Sequence, residues 1–162
     1  MTNNDILIRL RYALDIKNVD MVEIFKLGGI EVTKDEVLKI LTTNDINDED
    51  IAGNVSCNNS MFESFLNGFI IFKRGRQDPK PGQPIRPALS NEHPNNILLK
   101  KLKIALALTS EDMIDILEEA GVNITKGELS ALLRKEGHKN YKECGDKFAR
   151  NFLKGLAIKY RV

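Results

Sequence analysis

The chain is written twice. Asn3-Asn4 recurs as Asn95-Asn96, and at that offset of 92 residues Leu10, Ala13, Leu14, Asp20, Met21 and Ile24 meet Leu102, Ala105, Leu106, Asp112, Met113 and Ile116. The same offset carries Gly29, Thr33, Lys34, Glu36 and Leu41 onto Gly121, Thr125, Lys126, Glu128 and Leu133. The match resumes at an offset of 87, where Cys57, Phe65, Leu66 and Gly68 meet Cys144, Phe152, Leu153 and Gly155. The first copy therefore carries five extra residues in an intervening loop. One register held over so long a run is duplication rather than chance, so the fold must be built from two like units.

Proline divides them. All five prolines lie at 79, 81, 84, 87 and 94. Proline removes a backbone donor and clashes inside a helix, so this distribution leaves both flanks free to be helical. The sequence thus predicts a first helical repeat over 1–72, a Pro-rich basic linker over 73–94 and a second helical repeat over 95–162. At polyproline rise the linker reaches up to roughly 65 Å and does not dictate how the repeats dock.

Each copy reads as four to five helices. Asn3 or Asn4 is expected to cap a first helix whose Ile6, Leu10 and Ala13/Leu14 share a face. Asn18, or Ser110 in the second copy, is expected to cap a second helix with Met21, Ile24 and Phe25 inward, stopped by Gly28-Gly29 or Gly121. Thr33-Lys34-Asp35-Glu36 and Thr125-Lys126-Gly127-Glu128 predict capping boxes for a third helix. A final helix starts near Cys57 or Cys144, with Met61/Phe65/Phe69 and Phe148/Phe152/Leu156 at helical spacing. No strand-like alternation persists, and the fold class is all-α.

Composition excludes more than it identifies. At 162 residues, 42% hydrophobic and 29% charged, the chain is neither a disordered tail nor a membrane protein. Its longest apolar runs, such as 69–72, fall far short of the ~20 residues a membrane span needs. Asp5 and Arg9 interrupt the first hydrophobic stretch, so no secretory leader is expected. Two cysteines make no disulfide scaffold, and a cytoplasmic location is the expectation.

The net charge of +1 hides a division. Residues 1–72 hold 6 Lys/Arg against 12 Asp/Glu, the linker 5 against 2, and residues 95–162 hold 13 against 9. Between 134 and 161 the count is 9 against 3. Basic concentrations draw phosphates and other anions by steering and counterion release. The plainer alternative is that these lysines only solvate the outer faces of amphipathic helices.

The copies differ most just before the final helix. Gly137-His138-Lys139-Asn140-Tyr141-Lys142-Glu143-Cys144 faces Asp50-Ile51-Ala52-Gly53-Asn54-Val55-Ser56-Cys57. With Arg134 and Lys135, the residues His138, Lys139, Tyr141 and Lys142 could form an anion pocket beside a helix N-terminus, unless the loop merely caps the core. Cys144 joins that candidate set, since a helix dipole and His138 would favour its thiolate; equivalent placement of Cys57 favours packing instead. The second and third helices have helix-turn-helix order, but Glu128, like Asp35 and Glu36, puts a carboxylate where a DNA reader needs cations.

Catalytic signatures are absent. There is no phosphate-cradling glycine loop, GxSxG or HExxH pattern, and His93, His138, Cys57 and Cys144 lack metal-ligand spacing. Asp45, Asp48, Glu49 and Asp50 lack the glycine and terminal Glu of a calcium loop. No cofactor and no enzymatic activity are expected. The leading expectation is a binding module for an anionic macromolecule such as nucleic acid. The alternative is a protein–protein or homo-oligomeric module pairing acidic and basic repeats.

The opening NNDILIRLRYALDIKNVDMVEIFKLGGIEVTKDEV, the second-copy LKKLKIALALTSEDMIDILEEAGVNITKGEL, the GHKNYKEC segment and the Pro-rich connector together resemble the YehS-like bacterial proteins, a two-copy family of unknown function. The resemblance covers nearly the whole chain. It implies a bacterial cytoplasmic protein and brings no established activity, cofactor or site residue.

Overall fold

The computed structural model describes residues 1–42, 56–75, 89–90 and 92–161, and among these every regular element is a helix. The acidic run at 45–50 and linker residues 76–88 lie outside the described residues. The first repeat contributes α1 (Asn3–Ala13), α2 (Asn18–Leu27), α3 (Lys34–Ile40) and α4 (Asn59–Arg74). The second contributes α5 (Pro94–Ala105), α6 (Ser110–Glu119), α7 (Lys126–Leu133) and α8 (Asp146–Tyr160).

The caps correct the asparagine expectation. Thr2 caps α1 in a reciprocal box with Asp5, and Thr109 caps α6 with Asp112. A hydroxyl with a carboxylate three residues on satisfies two free amides at once. Asn18 sits inside the first turn of α2, where its Oδ1 accepts from Arg11 Nε at 2.9 Å; Lys17 is the uncapped start. The box is complete at Thr33–Glu36 but only half-made at Thr125. There the Glu128 carboxylate takes the threonine hydroxyl instead of the backbone N–H.

Gly29 and Gly121 end α2 and α6 in the left-handed region, at φ 94° and 87°. Gly28 has ordinary φ (−80°) and is small for another reason: a Cβ there would overlap the carbonyl of Ser64 on α4. Gly68 and Gly155 serve the same end, since a Cβ would strike the carbonyls of Ile24 and Ile116. The repeated glycine is where the final helix of each copy crosses its second helix backbone to backbone.

The repeats share one core. Within the copies, α4 packs on α2 and α8 on α6; between them, α4 packs on α5 and α8 on α1. The exchange is reciprocal, which is the pattern of an internal twofold. Phe25, Phe62, Phe65, Phe69 and Phe152 are fully buried, with the Phe25 and Phe65 rings 4.8 Å apart. Each such side chain contributes roughly 1.5–3 kcal/mol by leaving water. Leu98, Leu99, Leu153 and Leu156 extend the same cluster across the junction.

Candidate functional site

Asn3 and Asn95 hold the starts of the long helices. Asn3 Nδ2 donates to the Cys57 carbonyl at 3.0 Å and to Asn59 Oδ1 at 2.9 Å. Its counterpart Asn95 donates to the Cys144 carbonyl at 3.0 Å and to Asp146 Oδ1 at 2.9 Å. Four helix N-termini therefore converge on a cleft of about 790 Å³ that also takes in His93. Aligned amides make such an end electropositive. Here that potential is already met: Asp146 binds the Met1 ammonium at 2.8 Å, and this ammonium and the Asn95 amide hold its carboxyl below the usual range. The cleft is a structural joint.

The neighbouring asparagines clamp the cysteines. Asn4 Oδ1 accepts from the Cys57 N–H and Asn96 Oδ1 from the Cys144 N–H, both at 2.8 Å. Asn96 also donates to the carbonyls of Leu132 (3.0 Å) and Lys142 (2.9 Å). Both thiols are buried, and burial pushes each up to about 12. The reactive-thiolate reading of Cys144 is thereby corrected: desolvation opposes the dipole and prevails. Cys144 lies 1% exposed beneath the surface loop, out of reach of a surface ligand.

The other candidate residues are brought only partly together. Arg134 Nη1 lies 3.4 Å from His138 Nε2, and His138 Nδ1 accepts from the Asn140 N–H at 3.1 Å. Lys135, Lys139 and Lys142 are exposed. Tyr141 is half-buried, and burial, then the carboxylates of Glu136, Glu143 and Glu92, push its hydroxyl up. Those carboxylates oppose an anion pocket centred on the ring. His93 pairs with Glu143 at 3.0 Å, and no group of three potential metal ligands converges among the described residues.

The α6–α7 pair is a poor DNA reader. Lys126 at the head of α7 is held by Glu111 at 3.0 Å, which lowers that carboxyl, while Leu129 and Leu132 turn inward. The open cations lie on α8 instead. Lys147, Arg150 and Lys154 are exposed, and none forms an ion pair with a described residue. Their spacing of three and four residues puts them on one face. Lys142 of the preceding loop and Gly145 at the start of α8 line a hollow of about 140 Å³ beside Phe148. Charge counting marked this stretch as basic, but only helical phase within α8 singles out these three.

Among the described residues, no helix is long and apolar enough to cross a membrane. No solved structure matches the chain. It is 39% identical to the "Uncharacterized protein YehS" of Escherichia coli (strain K12) over all 162 residues, which span 98% of that relative. The family described as "Protein of unknown function (DUF1456)" matches twice, at residues 3–75 and 95–161, in register with the two structural repeats. The chain belongs to this family of two-copy helical proteins.

Proposed function

We propose that the protein is a non-enzymatic binding module that engages an anionic partner through its basic second repeat. The observation that carries this reading is a local concentration of open cations. Lys139, Lys142, Lys147, Arg150 and Lys154 are exposed and form no ion pair with a described residue, in a stretch where Glu143 and Asp146 are the only carboxylates. Exposed cations left unpaired by their own fold are available to an external anion. Arg134, Lys135, His138 and Tyr141 border the same end of the repeat and supply secondary contacts. Cys144 takes no part.

The test is binding of labelled anionic polymers (heparin, oligonucleotide, oligoglutamate) followed by anisotropy as salt is raised. At least one should bind, with log affinity falling linearly against log salt. A variant reversing Lys139, Lys142, Lys147, Arg150 and Lys154 together should bind none. If the unaltered protein ignores all three polymers at low salt, this reading is wrong.

A further inference from the structure

The internal twofold relates two faces that the molecule treats differently. On α4, Glu63 and Asn67 are only 2% and 4% exposed. A strap of the chain's own polypeptide, carrying Ser90 and Glu92, meets Glu63: the Ser90 N–H donates to both of its carboxylate oxygens, at 3.0 and 2.9 Å. Two residues on, Glu92 takes Lys100 Nζ at 2.7 Å and the Glu136 N–H at 2.9 Å. Half-buried Lys101 of α5 lies in the field of Glu63 and Glu92. Among the described residues, the α4/α5 face thus holds a stretch of the chain's own backbone through the Ser90 amide and the Glu92 side chain.

The offsets of 87 and 92 carry Glu63 onto Arg150, Asn67 onto Lys154 and Lys101 onto Arg9. The equivalent face is formed by α1 and α8, which pack as α5 and α4 do. There Arg9, Arg150 and Lys154 are exposed, and no described residue lies across them as Ser90 lies across Glu63. Arg150 has only the attraction of Asp146, one turn back and already bound to the Met1 ammonium. The floor has changed sign, from a carboxylate that accepts N–H groups to guanidinium and ammonium groups that donate.

We infer that the α1/α8 face binds an extended acidic segment of a partner polypeptide, as the α4/α5 face binds Ser90 and Glu92. This rests on the anion-binding reading above and names the partner class. Arg150 presents a planar fork suited to a carboxylate or a backbone carbonyl. Its distance from Lys154, one helical turn, is about 5–6 Å between Cβ atoms. In an extended chain, side chains on the same face repeat every ~6.6 Å, so carboxylates two residues apart fall in register with the pair.

The test uses the full chain with three labelled probes: oligoglutamate, a single-stranded oligothymidine and a DNA duplex. Oligoglutamate should bind at low salt. R150E and K154E should each weaken it by about tenfold or more, as loss of a close charge pair at an interface does. R150K, which keeps the charge but not the fork, should fall between, and K34E/K39E, at exposed lysines of the first repeat, should leave oligoglutamate binding unchanged. These positions are exposed, so thermal melting of each variant should match the parent and separate lost binding from lost folding. If DNA binds and oligoglutamate does not, or if R150E and K154E leave oligoglutamate binding intact while K139E/K142E abolishes it, the inference fails while the anion-binding reading stands. If no probe binds, both fail.

Discussion

Arg161 Nη1 donates to the backbone carbonyl of Tyr12 at 2.9 Å, joining residues 149 positions apart. Its twofold mate, Arg74, does the same to Ile104 at 3.1 Å. Each arginine closes the last turn of one repeat onto the first helix of the other, at the ends opposite the asparagine clamps. The two differ in what lies beneath: the Arg161 guanidinium stacks 4.0 Å over the Tyr12 ring, while Ile104 offers no π face. Arg161→Ala should therefore lower stability by about 1 kcal/mol, and Arg74→Ala by less. Arg161→Lys should recover only part of the loss. Urea midpoints of the three variants decide it; equal losses at both arginines would remove the aromatic contribution.

Asn96 is the more deeply buried of the two clamp asparagines that hold the cysteines. It is fully buried and makes three hydrogen bonds, to Leu132, Lys142 and Cys144. Alanine there strands two carbonyls and one N–H, so the expected loss is about 3–5 kcal/mol. Asn4 is only half-buried, and alanine there should cost less. The stability difference between N96A and N4A in denaturant checks this ordering.

Gly155→Ala and Gly127→Ala should move in opposite directions. A Cβ at Gly155 would overlap the Ile116 carbonyl and force α8 off α6. Overpacking of this kind costs typically 1–3 kcal/mol and more where backbone must shift. At Gly127 nothing lies within 4 Å, and alanine in α7 should stabilise by up to about 1 kcal/mol through helix propensity. Melting temperatures bracketing the parent would bear this out.

Fold class and duplication were legible because they depend on periodicity and self-similarity, which the linear chain displays. The family resemblance was legible for the same reason, through Asn3-Asn4, Asn95-Asn96 and the GHKNYKEC segment. The caps were misread because Asn and Thr both suit an N-cap, and choosing between them needs the other partners. Once Asn3, Asn4, Asn95 and Asn96 are committed to the cysteine loops, Thr2 is left to cap α1 and His93 to cap α5. Reciprocal docking was hidden because α4/α5 and α8/α1 contacts join residues that no local pattern relates. Around Tyr141 the opposing carboxylates of Glu136 and Glu143 stand in the sequence beside the ring, but the third, Glu92, is distant in the chain and no local pattern brings it there.

Neither cysteine should react readily. With both thiols pushed up to about 12, Cys57 and Cys144 should alkylate slowly and at similar rates at neutral pH, and rapidly in denaturant. A raised folded pKa means that the native state retains protons the unfolded chain loses. This contribution is therefore intact below the unfolded value near 9 and is lost as pH climbs toward about 12. Replacing both by alanine should flatten the alkaline limb of the stability profile. Fast, selective labelling of Cys144 at neutral pH would contradict the burial argument.

The strap should fail from the acid side. Burial raises the Glu92 carboxyl, but the hydrogen bonds from Lys100 and the Glu136 N–H, with the charges of Lys100 and Lys135, more than offset it and leave the group below its ordinary value. A depressed folded pKa gives stability that is complete above the unfolded value of about 4.3 and disappears as pH falls through the folded one. Glu92→Gln loses the Lys100 pair at every pH and cannot titrate. The stability gap between parent and E92Q should be widest near neutrality and narrow below about pH 4.3. Some acid slope should persist in E92Q, since Glu111, Asp112 and Asp146 are also depressed. A gap that stays constant down to the acid transition would show that Glu92 holds the strap by packing rather than by charge.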